Sequence, residues 1–105
     1  MTIKDNIPML LGINNKKMST ERIVDRISEW SNEEIKDAVD SVERRYEKRT
    51  SQKMSNYTGL VVFTEMIKML RESEVKTYNI KKAIEACQEK VLMYHQKYEE
   101  VDKKE

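Results

Sequence analysis

The last third of the chain carries the pattern that most constrains its fold. Apolar and amphipathic residues recur there at alternating steps of four and three positions, and we call them the C-terminal seam: Ile80, Ile84, Cys87, Val91, Tyr94, Tyr98 and Val101. This is the a/d spacing of a heptad repeat, which places a narrow apolar strip along one side of a helix. Because such a strip needs another helix to cover it, the pattern predicts an all-α protein with a long C-terminal helix.

Length and charge limit what the rest of the molecule can be. A chain of 105 residues is long enough for one domain with a modest core. Charged residues make up 37% and apolar residues 38% of the chain, which is compatible with a folded core beneath a densely charged surface. Since 20 Lys and Arg oppose 19 Asp and Glu, no global field draws the protein toward nucleic acid or membrane, and any electrostatic contact must be local.

The N-terminal residues, the lack of a long apolar stretch and the single cysteine indicate in which cellular compartment the protein is expected. The residues after Met1 lack the apolar run of a signal peptide, and the longest later apolar stretch, Leu60 to Phe63, is too short to span a bilayer. Cys87 has no second cysteine with which to form an internal disulfide. We therefore expect a cytoplasmic protein that does not contact membranes.

Turn-forming residues divide the chain into elements of one domain, residues 1–105. The first 18 residues contain Pro8 and Gly12 and are expected to be irregular, with Met9, Leu10 and Leu11 covering one end of a bundle. A small bundle of about four helices is predicted, over residues 19–30, 32–49, 56–72 and 79–102. Residues 57–64 are also rich in β-branched and aromatic side chains, but no second strand exists to pair with them, so a helix is favoured.

The boundary between the first two of these helices is the best marked. Ser31 and Glu34 have the spacing of a capping box, in which each side chain accepts the backbone N–H of the other. Trp30 and Ile35 flank this cap as a hydrophobic staple would. The sequence therefore predicts a tight corner at Trp30.

Residues suited to catalysis or metal binding are few and badly spaced. Cys87 and His95 are eight positions apart, which separates them by ~12 Å along a helix, too far for a catalytic dyad. His95 with Glu99 offers two metal ligands, whereas a structural zinc site needs about four. The glycines, Gly12 and Gly59, are isolated and cannot form a phosphate-binding loop. We expect no catalytic, cofactor or metal site, and no enzyme activity.

Basic residues provide the one electrostatic feature with a functional interpretation. They cluster at the end of the second predicted helix: Arg44, Arg45, Lys48, Arg49 and Lys53. This basic cluster either forms an ordinary solvated face or contacts phosphates or an acidic protein. Lys81 and Lys82 join it as candidate phosphate contacts, because residues 66–84 resemble a degenerate helix-turn-helix with Ser73 and Glu74 at unfavourable positions.

Two functions from different classes follow from these features. The first is a small intracellular helical protein-interaction module of the inhibitor, adaptor or regulator type, which binds a partner protein, or a second copy, through the C-terminal helix. Its expected contacts are Val91, Tyr94, Tyr98 and Val101, since tyrosines near the end of the seam tolerate water better than leucine. The alternative is a transcriptional or replication regulator that binds DNA as a homodimer through the helix-turn-helix and the basic cluster.

Overall fold

The protein is an all-α bundle, as predicted. The computed structural model describes residues 3–13, 19–74 and 77–103, with side chains described for residues 6–13, 19–74 and 77–100. These ranges contain six helices and no strand: α1 (Ile3–Leu10), α2 (Thr20–Ser28), α3 (Asn32–Asp40), α4 (Val42–Thr50), α5 (Asn56–Glu72) and α6 (Tyr78–Lys103). Residues 57–64 are helical, so the helix rather than the strand interpretation of this segment is confirmed.

Helices α5 and α6 form an antiparallel hairpin at the centre of the fold. Met69 and Leu70 near the end of α5 line the same small void as Ala83 and Cys87 near the start of α6. At the other end, the Phe63 ring stacks on the Tyr94 ring with centroids 5.9 Å apart. Helix α5 contributes six buried residues, which explains why its apolar residues cover so wide an arc.

The N-terminal segment differs from the irregular structure expected for residues 1–18. Residues 3–10 form α1, which contains Pro8 and packs against α4 and α5. Gly12 has φ +82° and ends the helix in a Schellman motif, in which the Ile13 N–H bonds to the Pro8 carbonyl at 2.8 Å and the Gly12 N–H to the Met9 carbonyl at 3.0 Å. Burial of Leu10 and neighbouring apolar residues stabilises a helix too short to persist alone. The part of the prediction that concerns residues 14–18 lies outside the described residues.

The corner between α2 and α3 has the predicted geometry. The Glu34 N–H donates to Ser31 Oγ at 3.1 Å, and the Ser31 N–H donates to Glu34 Oε1 at 3.2 Å, which confirms the capping box. The side-chain amide of Asn79 donates to the carbonyls of Ser28 at 2.6 Å and Trp30 at 2.9 Å. This amide therefore joins the start of α6 to the corner.

The single helix predicted over residues 32–49 is divided at Ser41. Asp40 ends α3 and Val42 begins α4, with the Ser41 N–H still bonded to the Asp37 carbonyl at 3.0 Å. Helix α3 packs on α6, whereas α4 packs on α1. The two halves of the predicted helix therefore have different tertiary partners, which the continuous apolar stripe did not indicate.

The core that results is closed. A void in the interior measures about 10 Å³, enough for at most one water molecule. Leu11, Trp30 and Met66 are among its lining residues. This void is too small for an organic ligand, so the candidate site is on the surface. No helix in the described ranges is both long and apolar enough to cross a bilayer.

Candidate functional site

The C-terminal seam is covered along most of its length by the rest of the bundle. Ile80, Cys87 and Tyr94, which follow one another at steps of seven, are buried. Ile84 and Val91, on the adjacent edge of the seam, are partly buried and pack against the core. The seam is thus chiefly the contact that fixes α6 to α5, and only its end is available to another molecule.

Tyr94 belongs to this covered part, which corrects the expectation that it contacts a partner. Its side chain is 3% exposed, and its ring lies on Phe63. Burial raises the pKa of the Tyr94 hydroxyl above its ordinary value of 10.0, and a hydrogen bond to Glu43 together with the negative charge of Glu43 raises it further. Val91 is half-buried against the same core, so it too contributes more to the monomer than to an exposed surface.

A polar cluster closes the core beside Tyr94. Lys90 Nζ lies 3.3 Å from Glu43 Oε1 and 3.4 Å from Asp40 Oδ1, so the lysine of α6 joins the start of α4 and the end of α3. Glu43 meets both Lys90 and the Tyr94 hydroxyl. The sequence did not predict this cluster, because Glu43 and Lys90 are separated by 47 positions and no local pattern pairs them.

Helix α6 projects beyond its partner helix after this point. Gly59 lies against Tyr94, and α5 begins three residues before Gly59, so α6 runs past the start of α5 from about Tyr98 onward. All residues from 95 to 100 are exposed, and Tyr98 is 40% exposed although it continues the line of the seam. Val101 continues the helix, but its side chain lies outside the described residues. We call residues 95–103 the projecting end.

The basic cluster is largely occupied by contacts within the protein. Arg45 Nη1 donates to the Leu10 carbonyl at 3.2 Å, and Arg44 Nη2 donates to Ser41 Oγ at 3.2 Å. Arg49 Nη1 contacts Met9 Sδ. Lys48 and Lys53 are exposed. Two of the three arginines thus hold α1 against α4, a structural role that the charge pattern alone did not indicate.

Lys81 and Lys82 lie on the first turns of α6, apart from the basic cluster on α4. Lys82 Nζ lies 3.5 Å from Glu85 Oε2 and 5.4 Å from the centre of the Tyr78 ring, and the nearby Glu85 charge, followed by Tyr78, raises the pKa of Lys82. Lys81 is exposed. The antiparallel packing of α5 on α6 also differs from the crossed helices of a helix-turn-helix, which meet at about 90–120°.

The remaining reactive side chains do not form a chemical site. Cys87 is buried, and burial raises the pKa of its thiol from an ordinary value of 9.0 to about 12, so the nucleophilic thiolate is disfavoured. His95 is exposed, with Nε2 3.7 Å from Glu99 Oε1. Among the residues described, no group of three or more His, Cys, Asp or Glu side chains is arranged to hold a metal ion.

Comparison with known proteins gives no further guide to this surface. No protein-family model, no curated protein and no solved structure matches the chain. The candidate site is therefore defined by geometry alone: the projecting end of α6, with Tyr98 at its base.

Proposed function

We propose that this protein is a small helical interaction module that acts by binding a partner protein through the projecting end of α6. The observation that carries the proposal is the change in exposure along one strip of one helix. Tyr94 is buried, whereas Tyr98, one turn later on the same strip, is 40% exposed. An apolar strip that leaves the bundle offers a surface for a helix of another protein.

The chemistry of the projecting end suits an interface. Tyrosine combines a large apolar ring with a polar hydroxyl and is enriched at interfaces for this reason. Lys97, Glu99 and Glu100 surround Tyr98 with charges of both signs, which favours a partner with mixed charges over a uniformly charged polymer. An adaptor, inhibitor or regulator working inside the cell would act in this way without catalysis.

Nucleic-acid binding remains the alternative proposal, and the surface supports it less well. Phosphate binding needs basic side chains that are free to reach the backbone of DNA or RNA. Arg45 and Arg49 instead contact Leu10 and Met9 on α1. Arg44, Lys48, Arg49 and Lys53 are exposed, but Arg44 donates to Ser41 and Arg49 contacts Met9, so both are held within the protein. On a chain of net charge +1, this cluster attracts phosphates only weakly.

Site-specific crosslinking tests the proposal. A photoreactive benzoylphenylalanine is introduced in place of Tyr98, and the variant is irradiated in the cells that naturally express the chain. We expect one predominant protein adduct, identified by mass spectrometry. The matched control carries the same group in place of Tyr78, which is a 63% exposed tyrosine at the start of α6, at the opposite end of that helix from the projecting end.

The outcomes separate the two proposed functions. An adduct formed at position 98 and not at position 78 supports a protein partner at the projecting end. The same adducts at both positions, or none at position 98, would contradict the proposal. Nucleic acid recovered at position 98 in place of protein would favour the alternative.

A further inference from the structure

A second heptad strip runs along the outer face of α6, and its members are nearly all exposed. It comprises Lys81, Glu85, Gln88, Leu92, His95 and Glu99, again at alternating steps of four and three, and we call it the outer strip. Gln88 is half-buried, the other five are exposed, and Leu92 is 64% exposed. A projection at ~100° per residue places the centre of this strip ~150° from Ala86, Lys90 and Met93, which line the groove between α6 and α3. Glu85, at one edge of the strip, also lines that groove.

The charges of the outer strip are arranged so that the strip complements itself in one orientation. When two copies of α6 are laid antiparallel with the two-fold axis at the level of residue 90, Lys81 of each copy lies opposite Glu99 of the other. Glu85 then lies opposite His95, and Gln88 opposite Leu92. Each of these pairs occurs twice, because a two-fold interface uses the same patch of both copies.

Other arrangements of the same strip are unfavourable. A parallel pairing would place Lys81 against Lys81 and Glu99 against Glu99, and like charges across an interface disfavour association. A shift of the antiparallel register by one heptad would place Lys81 opposite Leu92 and remove both Lys81–Glu99 pairs. Of the arrangements considered, the register centred on residue 90 pairs Lys81 with Glu99 at both ends and also brings the two exposed Leu92 side chains near the axis.

We propose that the outer strip of α6 is a self-association surface, on which a second copy of this chain binds antiparallel with Lys81 opposite Glu99. The occupant is a second copy because the charges at mirrored positions are complementary. The outer strip shares His95 and Glu99 with the projecting end, but Tyr98 lies on the seam, about a quarter turn away, so self-association can be tested on the purified protein without the partner of the projecting end.

The size of the surface determines how strong the association is. The strip runs from Lys81 to Glu99, a rise of ~27 Å along the helix, with Ile84 and Val91 along one edge. It would bury less than about 1,200 Å² in total, the range of weak and transient complexes. Glu85 and Glu99 also have exposed local partners in Lys82 and His95, but exposed ion pairs of this kind are weak and readily exchanged. The dimer is therefore reversible and concentration-dependent.

Charge exchange at the two ends of the strip tests the proposal. Sedimentation velocity over a concentration series measures the dissociation constant of the unaltered protein, of Lys81→Glu and of Glu99→Lys. Each single substitution creates two repulsive pairs in the homodimer, so we expect the dissociation constant to rise roughly tenfold or more. An equimolar mixture of the two variants restores association, because every end pair in the mixed dimer joins a lysine to a glutamate.

Two further variants keep the test specific. Glu100→Lys makes the same charge change one residue away on another face of α6, and we expect it to dimerise like the unaltered protein. Leu92→Glu places two carboxylates near the axis and abolishes dimerisation while the circular dichroism spectrum is unchanged, since Leu92 is exposed. The proposal is overturned if the unaltered protein is monomeric up to millimolar concentration, or if the mixture of Lys81→Glu and Glu99→Lys associates no better than either variant alone.

Discussion

The ring of Tyr94 lies directly on the backbone of Gly59. A Cβ atom built on Gly59 would meet three carbons of that ring at 2.8 Å, closer than any ordinary van der Waals contact. The absence of a side chain at Gly59 thus lets α5 and α6 approach each other at the point where α6 leaves the bundle. This contact separates the covered part of the C-terminal seam from the projecting end.

Substituting Gly59 with alanine should lower stability despite the better helix propensity of alanine. Alanine favours a helix by about 1 kcal/mol over glycine, whereas overpacking a well-packed core costs about 1–3 kcal/mol. We expect a net loss of up to ~2 kcal/mol in the free energy of unfolding, measured by urea denaturation. In a Tyr94→Leu background the ring is absent, so Gly59→Ala should become neutral or stabilising; a loss of equal size there would refute the steric explanation.

Stability should fall in alkaline solution. The pKa of Cys87 rises from 9.0 to about 12 on burial, and the pKa of Tyr94 is raised above 10.0. Both groups are neutral when protonated, so above these ordinary values the unfolded chain releases protons that the folded chain keeps. The free energy of unfolding is therefore unaffected by titration of these two groups below pH 9. Above that pH it decreases, by up to ~1.4 kcal/mol per pH unit for each group.

Urea denaturation at a series of pH values measures this decrease. Cys87→Ala should remove the part of the slope that begins near pH 9, and Tyr94→Phe the part that begins near pH 10. The slopes are compared rather than the absolute stabilities, because both substitutions also alter packing or hydrogen bonding. A free energy of unfolding that stays constant past pH 10 would contradict the burial of both groups.

The chief role of Arg45 should be to hold helix α1 against α4. Its guanidinium donates to the Leu10 carbonyl, and a Cβ added at Gly12 would lie 2.7 Å from Arg45 Nη2. We expect Arg45→Ala to lower the free energy of unfolding by about 1–2 kcal/mol and to accelerate amide exchange in residues 3–13. Lys48→Ala, a change at an exposed position of the same helix, should alter neither, and equal effects of the two would refute this role.

The contacts of the basic cluster with α1 also predict how weakly the protein should bind DNA. We expect a labelled mixed-sequence duplex to show no measurable binding in fluorescence anisotropy at physiological salt. The informative variant is Lys48→Glu with Lys53→Glu, because both positions are exposed and neither contacts α1. Affinity that falls steeply with salt and disappears in this variant would show phosphate contacts and support the nucleic-acid alternative.

Local sequence signals predicted the elements whose structure depends on near neighbours. The capping box at Ser31 and Glu34 involves residues three apart, and the seam of α6 depends on spacing within one helix, so both could be inferred without knowing the fold. Helix α1 was missed because Pro8 and Gly12 are turn signals, whereas the contacts that stabilise it come from α4 and α5. Contacts between helices distant in sequence produce no pattern among neighbouring residues that could predict them.

The candidate site also depends on tertiary contacts that local sequence patterns do not predict. Spacing identified Tyr94 and Tyr98 as members of one strip but could not say which of them another helix covers. That depends on where α5 begins and on Gly59, which the sequence presents only as an isolated glycine. The pairing of Lys90 with Glu43 and Asp40 could likewise not be predicted from the sequence, because it depends on how α6 packs beside α3.

Replacing each tyrosine by glutamate should separate the two parts of the seam. Tyr94→Glu would bury a carboxylate beside Phe63 and Glu43, and an uncompensated buried charge costs about 3–5 kcal/mol or more, a large share of the stability of a small domain. We therefore expect Tyr94→Glu to unfold the protein at neutral pH. Tyr98→Glu changes an exposed position and should alter the free energy of unfolding by about 0.5 kcal/mol or less.

Circular dichroism with thermal denaturation measures both effects, and Tyr57→Glu provides an exposed control on α5. If Tyr98→Glu also unfolded the protein, the projecting end would belong to the core and could not serve a partner. If Tyr98→Glu retains the fold but no longer binds the partner identified by crosslinking, as measured by affinity capture of that partner, binding is separated from folding. Because Tyr94 and Tyr98 are one turn apart on the same strip, the opposite effects of one substitution would place the edge of the bundle between them.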